Sequence, residues 1–196
     1  MATAEEISEA IEAAREAGAK EIVVLHCTAA YPAPPEEANL ATIAEIARRF
    51  GVVAGLSDHT LGTTTSVIAV ALGACFIEKH FTLSRADGGV DSAFSLEPAE
   101  LAELVASARI AHSVVGTPAF EPTRSELVVL KNRRSLYVVA PLAKGEIFSE
   151  ANVRSIRPGN GLKPKFFEAV LGCRASRDIA FGEPLDRSMI EGELGS

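Results

Sequence analysis

The strongest constraint on the fold is a regular alternation between apolar, β-branched runs and helical segments in the first 115 residues. Three runs, "EIVVLHC" (21–27), "VVAGLS" (52–57) and "ACFIEKHF" (74–81), have the continuous apolar character of strands that are buried on both faces. Predicted helices precede, separate and follow these runs, and the connections between them are short. Right-handed crossovers of this kind predict a parallel sheet, either an open doubly wound sheet or part of a (β/α)8 barrel.

The helices are marked by their ends as well as by apolar periodicity. Thr3 and Glu6 form a capping-box pattern at the start of the first helix, and Gly18 ends that helix. Apolar spacing predicts three further helices, at 36–50, 64–72 and 98–115. The predicted order of elements is therefore α-β-α-β-α-β-loop-α.

Composition restricts the class of partner. The 196 residues are 47% hydrophobic and carry a formal net charge of −7, so no basic face is expected for nucleic acid or for an anionic membrane. Three widely spaced cysteines do not form the pattern of a disulfide framework or a zinc cluster. The acidic first residues are also unlike a secretory signal. Together these features predict a protein of the reducing cytoplasm.

The pattern changes near residue 117, which predicts a second domain. The segment "GTPAFEPTRSE" is rich in proline and polar residues and has the composition of a linker. Beyond it, short strands with turn residues are predicted within "RSLYVVA", "KGEIF" and "RSIRPGNGLKP". We therefore divide the chain into an α/β part at 1–116, a linker at 117–131 and a small, mainly β domain at 132–196.

Two segments of the second domain resemble each other. "PLAKGEIFSEANV" (141–153) and "DIAFGEPLDRSMI" (178–190) align with a constant offset. Identical residues match at three positions, which are Ala143 with Ala180, Gly145 with Gly182, and Glu146 with Glu183. The match predicts a duplicated β element, although two similar turns would give the same pattern.

Two histidines come at the carboxyl ends of neighbouring predicted strands. His59 follows the second strand and His80 ends the third. Because the carboxyl ends of parallel strands meet at the functional edge of a sheet, we expect the two imidazoles to be neighbours. His26 and Tyr31, at the end of the first strand, would extend the polar edge.

Two neutral imidazoles with open coordination positions suit a divalent cation such as Mn²⁺, Fe²⁺ or Zn²⁺. Asp58 or Asp91 would add an oxygen ligand or a supporting hydrogen bond. No local metal-binding motif joins the two histidines, so the alternative that each is a hydrogen-bonded strand end stays open.

Two loops offer groups for binding a polar substrate. Asp91 and Ser92 lie in the glycine-containing loop "RADGGVDSAFS" (85–95) and would bind a polyol, although an ordinary connection is equally compatible with this composition. Arg157 precedes a Pro-Gly turn in "RPGNG", which would mount its guanidinium rigidly against a carboxylate or phosphate. A solvated surface arginine is the alternative.

Six motifs, in order, resemble the sialic acid synthase family. They are "LHCTAAYP", "GLSDHTLG", "ALGACFIEKHFT", "DGGVDSAFSLEP", "RRSLYVV" and "IRPGNGLKPKFFEAVLG". Members of this family use phosphoenolpyruvate to build nine-carbon 2-keto sugar acids, and they consist of a (β/α)8 barrel followed by an antifreeze-like (SAF) domain. The "DSAFS" loop and the "GLKPKFFEAVLG" stretch are similar to the pseudaminic acid synthase branch.

The resemblance implies roles for the residues of the polar edge. His59 and His80 resemble the family's metal ligands, for Mn²⁺ first and for Mg²⁺ or Co²⁺ as alternatives. Asp91 is similar to the family's sugar-contacting aspartate. Arg157 resembles the arginine that the SAF domain of a partner subunit inserts over the sugar in a domain-swapped homodimer. These four residues are the implied catalytic set.

The resemblance implies two further substrate contacts, and the apolar character of Phe94 suggests a third. Tyr31 is similar to the sugar-site tyrosine, and Ser57 to a serine beside phosphoenolpyruvate. Phe94 would face the methyl group of a 6-deoxy sugar, although core packing is an equal alternative for this side chain. Ala29 departs from the family, whose sialate branch has asparagine at this position, so one polar contact would be missing.

The length of the chain implies that only part of the barrel is present. "MATAEEI" is similar to the middle of a family motif that follows the fifth barrel strand, so this chain would contain strands six to eight and the SAF domain. The lysines and the glutamate that the family uses for phosphate binding and acid–base work would lie in the absent half. We therefore expect the chain alone to be inactive and to expose a sheet edge and an apolar flank.

Three functions are compatible with this resemblance. The first is pseudaminic acid synthesis from phosphoenolpyruvate and 2,4-diacetamido-2,4,6-trideoxy-altrose, with release of phosphate. The second is N-acetylneuraminate or legionaminate synthesis. The third is a non-catalytic fragment that acts only in sugar binding or dimerisation.

Overall fold

The chain divides into two compact units, residues 1–118 and 119–196. The computed structural model describes residues 1–192 and residue 194, so three positions of the predicted second domain, 193, 195 and 196, lie outside the described residues. Within these residues, no helix combines the length and the apolar character needed to cross a membrane. The segment that the sequence predicts as a linker, 117–131, contains one turn of α-helix within the second unit.

The first unit has the predicted order of helices and strands. Its elements are α1 (Ala4–Glu16), β1 (Val23–Cys27), α2 (Ala41–Phe50), β2 (Val53–Asp58), α3 (Thr64–Ala71), β3 (Ile77–Lys79) and α4 (Pro98–Val115). The three strands form one parallel sheet in the order β1-β2-β3, with Cys27 beside Ser57 and Ser57 beside Glu78. The carboxyl ends of all three strands therefore lie at the same edge.

Two elements of this unit are shorter than predicted. The helix expected over 36–50 is split into a single 3-10 turn, Pro35–Glu37, and the α-helix α2. Asn39, which lies between them, has a φ of 41° and cannot continue a right-handed helix. The third strand is also shorter, although Cys75 still donates a backbone hydrogen bond to Ala54 before β3 begins.

The sheet of the first unit is covered by helices on one face. The core on that face consists of Ile43, Ile46, Ala54, Leu56, Ala69 and Ala74. On the opposite face, Val23, Val53 and Phe76 are 41%, 44% and 53% exposed. Parallel sheets are normally buried on both faces, so this exposed face is the one that the rest of a barrel would cover.

The second unit is built around a short antiparallel pair and a compact apolar core. Its elements are α5 (Arg124–Leu127), β4 (Ser135–Val138), β5 (Val153–Ile156) and α6 (Phe167–Val170), and β4 pairs with β5. Among the described residues of this unit, twelve buried side chains form the core, including Leu136, Val138 and Phe148, which are fully buried. The strand predicted in "KGEIF" is reduced to a single bridge between Ile147 and Arg174.

The repeat that the sequence predicts in this unit is present as a symmetric hydrogen-bond pattern. Leu142 and Ile179 exchange both of their backbone hydrogen bonds. Two further pairs of backbone hydrogen bonds follow the same sequence offset. In the first pair, Gly145 donates to Ala175 and Gly182 donates to Val138. In the second pair, Ala175 donates to Glu146 and Val138 donates to Glu183. The carboxylates of Glu146 and Glu183 also accept from the backbone N–H of Ala143 and Ala180 respectively. The two segments are therefore equivalent halves, rather than two merely similar turns.

Candidate active site

The two imidazoles lie side by side at the carboxyl edge of the sheet. His59 directly follows β2 and is only 7% exposed, whereas His80 follows β3 and is partly exposed. Their ring centroids are 5.2 Å apart. Because successive residues of a strand point to opposite faces, both rings project from the bare face of the sheet, opposite to the helices.

The orientation of His59 is fixed by a backbone carbonyl. Its Nδ1 lies 3.0 Å from the carbonyl oxygen of Thr28, just beyond β1. A carbonyl only accepts hydrogen bonds, so Nδ1 is the donor, and in the neutral ring the lone pair then lies on Nε2. Metal-binding histidines are typically oriented by such a bond. The Sγ atom of Cys27, which is 3.8 Å from the same nitrogen, adds a weak contact.

Two aromatic side chains enclose the histidines. The Tyr31 ring lies 4.2 Å from His59 and 5.9 Å from His80, measured between centroids. Phe94 approaches His80 to 5.1 Å and Tyr31 to 5.9 Å. Tyr31 is still 57% exposed. The four rings form one contiguous group, which we call the edge cluster (Tyr31, His59, His80 and Phe94).

The loop that carries Phe94 and Asp91 is anchored to α4. The Arg85 guanidinium donates to both carboxylate oxygens of Glu100 and to the carbonyl of Ser95. The hydrogen bond from Arg85 holds the pKa of Glu100 below its ordinary value, so this carboxylate stays ionised. Asp91 Oδ2 lies 3.6 Å from Nδ1 of His80, which is close but beyond a direct hydrogen bond.

Ser57 has a partner that the sequence analysis did not identify. Its hydroxyl donates to Oε1 of Glu78 at 2.7 Å, across the β2–β3 register. Glu78 precedes His80 by two residues, as Ser57 precedes His59, so strand alternation places all four side chains on the same face. This two-residue spacing is the sequence feature from which Glu78 could have been predicted to lie at the site.

Asp58 and His26, in contrast, do not join the cluster. The Asp58 carboxylate accepts hydrogen bonds from Ser66, Lys79 and Thr60 and is almost fully buried. Burial acts to raise the pKa of Asp58, but these hydrogen bonds outweigh it and leave the pKa below its ordinary value. Asp58 is therefore an ionised structural carboxylate and not the oxygen ligand considered from the sequence. The Nε2 atom of His26 is bound to the carbonyl of Ala38 at 2.8 Å.

Arg157 belongs to the second unit. It follows β5 directly, is exposed, and precedes the turn at Pro158 and Gly159. A hydrogen bond from β4 anchors this turn, since the Ser135 hydroxyl donates to the carbonyl of Pro158 at 2.7 Å. Among the residues that the structure describes, the Arg157 guanidinium makes no hydrogen bond or ion pair.

The donor set fits a cation that is bound by few protein groups. A metal–imidazole bond is about 2 Å long, so rings at this separation can share one ion. In the part of the chain that is described, no three His, Cys, Asp or Glu side chains converge in a way that would hold a metal. The remaining coordination positions would therefore fall to water, to substrate or to other parts of a complete barrel.

Comparison with known proteins finds one family match for each of two parts of the chain. The profile of the NeuB family matches residues 1–119, and that of the SAF domain matches residues 133–191. Among solved structures, the spore coat polysaccharide biosynthesis protein SpsE from Bacillus subtilis aligns with a TM-score of 0.56 and 36% identity, covering 98% of this chain and 59% of that one.

Two similar proteins have named enzymatic activities. Pseudaminic acid synthase from Campylobacter jejuni subsp. jejuni serotype O:23/36 (strain 81-176) is 44% identical over 191 residues, or 96% of this chain and 55% of that protein. N,N'-diacetyllegionaminic acid synthase from serotype O:2 of the same subspecies is 41% identical over 181 residues, or 91% and 54%. The chain thus spans about half the length of the curated relatives it matches.

Proposed function

This chain belongs to the NeuB family, and from that premise we propose that it is the second part of a pseudaminic acid synthase. The complete enzyme condenses phosphoenolpyruvate with 2,4-diacetamido-2,4,6-trideoxy-altrose. C3 of phosphoenolpyruvate bonds to the aldehyde carbon, water adds at C2, and phosphate leaves by cleavage of its C–O bond. The product is a nine-carbon 2-keto sugar acid.

The observation that carries the proposal is the edge cluster, in which two imidazoles 5.2 Å apart are flanked by Tyr31 and Phe94. A divalent cation, Mn²⁺ or alternatively Mg²⁺ or Co²⁺, would be held by His59 and His80 and would supply Lewis acidity toward the aldehyde oxygen. The bond to Thr28 keeps the Nε2 lone pair of His59 available for such an ion.

The other residues bind and orient the substrates. Asp91 accepts hydrogen bonds from the hydroxyl or amide groups of the sugar, and Tyr31 packs against it. Ser57 lies on the phosphoenolpyruvate side, with its hydroxyl directed by Glu78. Arg157, from the partner in a domain-swapped homodimer, closes the pocket over the sugar. Phosphoenolpyruvate is a cytoplasmic metabolite, in agreement with the predicted compartment.

Phe94 favours a 6-deoxy sugar. Its ring lies beside His80, where an apolar wall accepts a methyl group and leaves a hydroxyl without a hydrogen-bond partner. On this proposal, the N-acetylneuraminate alternative is the less favoured one. Legionaminate synthesis remains the second candidate, because the similarity to a legionaminic acid synthase is almost as high.

The test restores the rest of the barrel. The part of the Campylobacter pseudaminic acid synthase that precedes the matched region is fused to this chain, and phosphate release is measured with phosphoenolpyruvate and each candidate sugar. We expect turnover with the altrose derivative and its loss in His59→Ala and His80→Ala. His112→Ala, which changes an exposed histidine of α4, is the matched control and should retain activity.

Each alternative has its own outcome. A preference for the legionaminate or neuraminate precursor would replace the proposed substrate. Normal turnover in both histidine variants would remove the metal assignment. A folded fusion that binds Mn²⁺ but releases phosphate with none of the sugars would favour the non-catalytic alternative, and phosphate release by this chain alone would contradict the half-barrel interpretation.

A further inference from the structure

A buried ion pair lies directly behind the two histidines, on the helix-covered face of the sheet. Lys79 Nζ is 2.9 Å from Asp58 Oδ2, and the two side chains are only 3% and 1% exposed. Asp58 also accepts from the Ser66 hydroxyl, in α3, and from the backbone N–H of Thr60 at 2.8 Å. The lysine in turn donates to the carbonyl oxygen of Thr60.

Stability alone gives little reason for this arrangement. Removing two charges from water costs about as much free energy as their attraction returns, and apolar residues of similar volume often serve equally well. The proposed reaction does not use either side chain. A charged pair in this position therefore calls for another role.

The connectivity of the pair indicates that role. Asp58 and Thr60 are the two sequence neighbours of His59, and Lys79 immediately precedes His80. The Lys79 ammonium group thus bonds to both sequence neighbours of His59, and Lys79 is itself the sequence neighbour of His80. Because side chains alternate between faces, fixing these residues behind the sheet also fixes the two rings in front of it.

We propose that the Asp58–Lys79 pair, bridged to the Thr60 carbonyl, is a positioning element that holds His59 and His80 side by side to share one divalent cation. The proposal deepens the metal site of the proposed function and rests on it. Supporting hydrogen bonds around a metal ligand typically change metal affinity by roughly 10- to 100-fold when they are removed.

The first test measures Mn²⁺ binding to the whole chain by electron paramagnetic resonance. Lys79→Met keeps the length of the side chain and removes its charge, and Asp58→Asn combined with Lys79→Met leaves no unpaired charge if the single variant fails to fold. Ile46→Ala, in the core of the same unit and away from the edge, is the control for general destabilisation. We expect at least about tenfold weaker binding in the lysine and double variants than in the control.

The second test needs no metal. Nitrogen-15 NMR of the imidazoles should show one tautomer of His59 in the unchanged chain, protonated at Nδ1 through its bond to Thr28. The Lys79→Met and double variants should show a tautomer mixture, whereas Ile46→Ala should not.

The two tests distinguish a failure of the proposed metal site from a failure of the positioning role. Absence of Mn²⁺ binding in the unchanged chain would count against the metal site of the proposed function. Equal Mn²⁺ affinities in the double variant and the control, or an unaltered His59 tautomer in the double variant, would overturn the positioning role.

Discussion

Gly161 offers a sharp test of the packing in the second unit. A Cβ atom at this position would collide with the carbonyl oxygen of Leu136 and would lie 3.0 Å from both the N and the O of Leu185. All three obstacles are backbone atoms, so no side chain can rotate away. The Gly161→Ala variant must therefore separate the segments that Leu185 and Leu136 join by a 2.9 Å hydrogen bond.

The expected cost follows from these contacts. Two backbone hydrogen bonds are at risk, from Leu185 to Leu136 and from Leu162 to Leu185, each worth about 1 kcal/mol net. Overpacking of a filled core adds about 1–3 kcal/mol. A total of about 3–5 kcal/mol lowers the melting temperature of a domain of this size by roughly 12–40 °C.

Tyrosine fluorescence can follow this transition. The chain has no tryptophan and only two tyrosines, of which Tyr137 is 6% exposed in β4. Gly159→Ala is the matched control in the same loop, because its Cβ would meet Arg133 at 3.2–3.4 Å and needs only a small adjustment. Equal melting temperatures for the two variants would show that the Leu136–Leu185 contact is not rigid and would refute the reasoning.

Two further predictions concern a charged group and an apolar one. The pKa of Asp58 is lowered on folding, so its contribution to stability is present above its ordinary pKa of 3.8 and is lost as the pH falls through the lower, folded value. Urea unfolding followed by circular dichroism at about pH 5 and pH 3 should show this loss of stability in the unchanged chain. The Asp58→Asn, Lys79→Met double variant should lose less stability between the two pH values. An equal loss of unfolding free energy in both proteins would contradict the assignment. Phe148→Ala, at a fully buried position, should cost about 3–5 kcal/mol in urea unfolding of the second unit, and a cost below about 1 kcal/mol would mean that the site collapses around the smaller side chain.

The sequence was sufficient to predict the parallel sheet and the meeting of its two histidines. Both depend on local patterns, since apolar runs define the strands and the position of each histidine at a strand end defines the edge. Asp58 was considered either as an oxygen ligand or as a supporting hydrogen-bond partner, and its place on the helix-covered face argues against the first role, because adjacent strand residues face opposite ways. Its partner Lys79 comes from the next strand, so the ion pair depends on a register that a single segment does not encode.

Other features depended on contacts between distant segments. The loop 85–95 is anchored by a bond between Arg85 and Glu100, which are fifteen positions apart. Composition alone did not distinguish whether this loop is a substrate-binding loop or an ordinary connection. The break before α2 depends on the left-handed φ of Asn39, a conformation that asparagine tolerates but does not require. The repeat, by contrast, was detectable from three identities because its glycines occupy equivalent turns at φ 84° and 85°.

The reciprocal bonds between Leu142 and Ile179 mean that each half of the second unit supplies the backbone partners that the other half lacks. A peptide that comprises one half cannot complete its own ladder, and its natural complement is another copy of itself. An ancestral peptide of one half could have paired with a second copy of itself. Duplication and fusion of its gene would then produce a domain with this internal twofold relation.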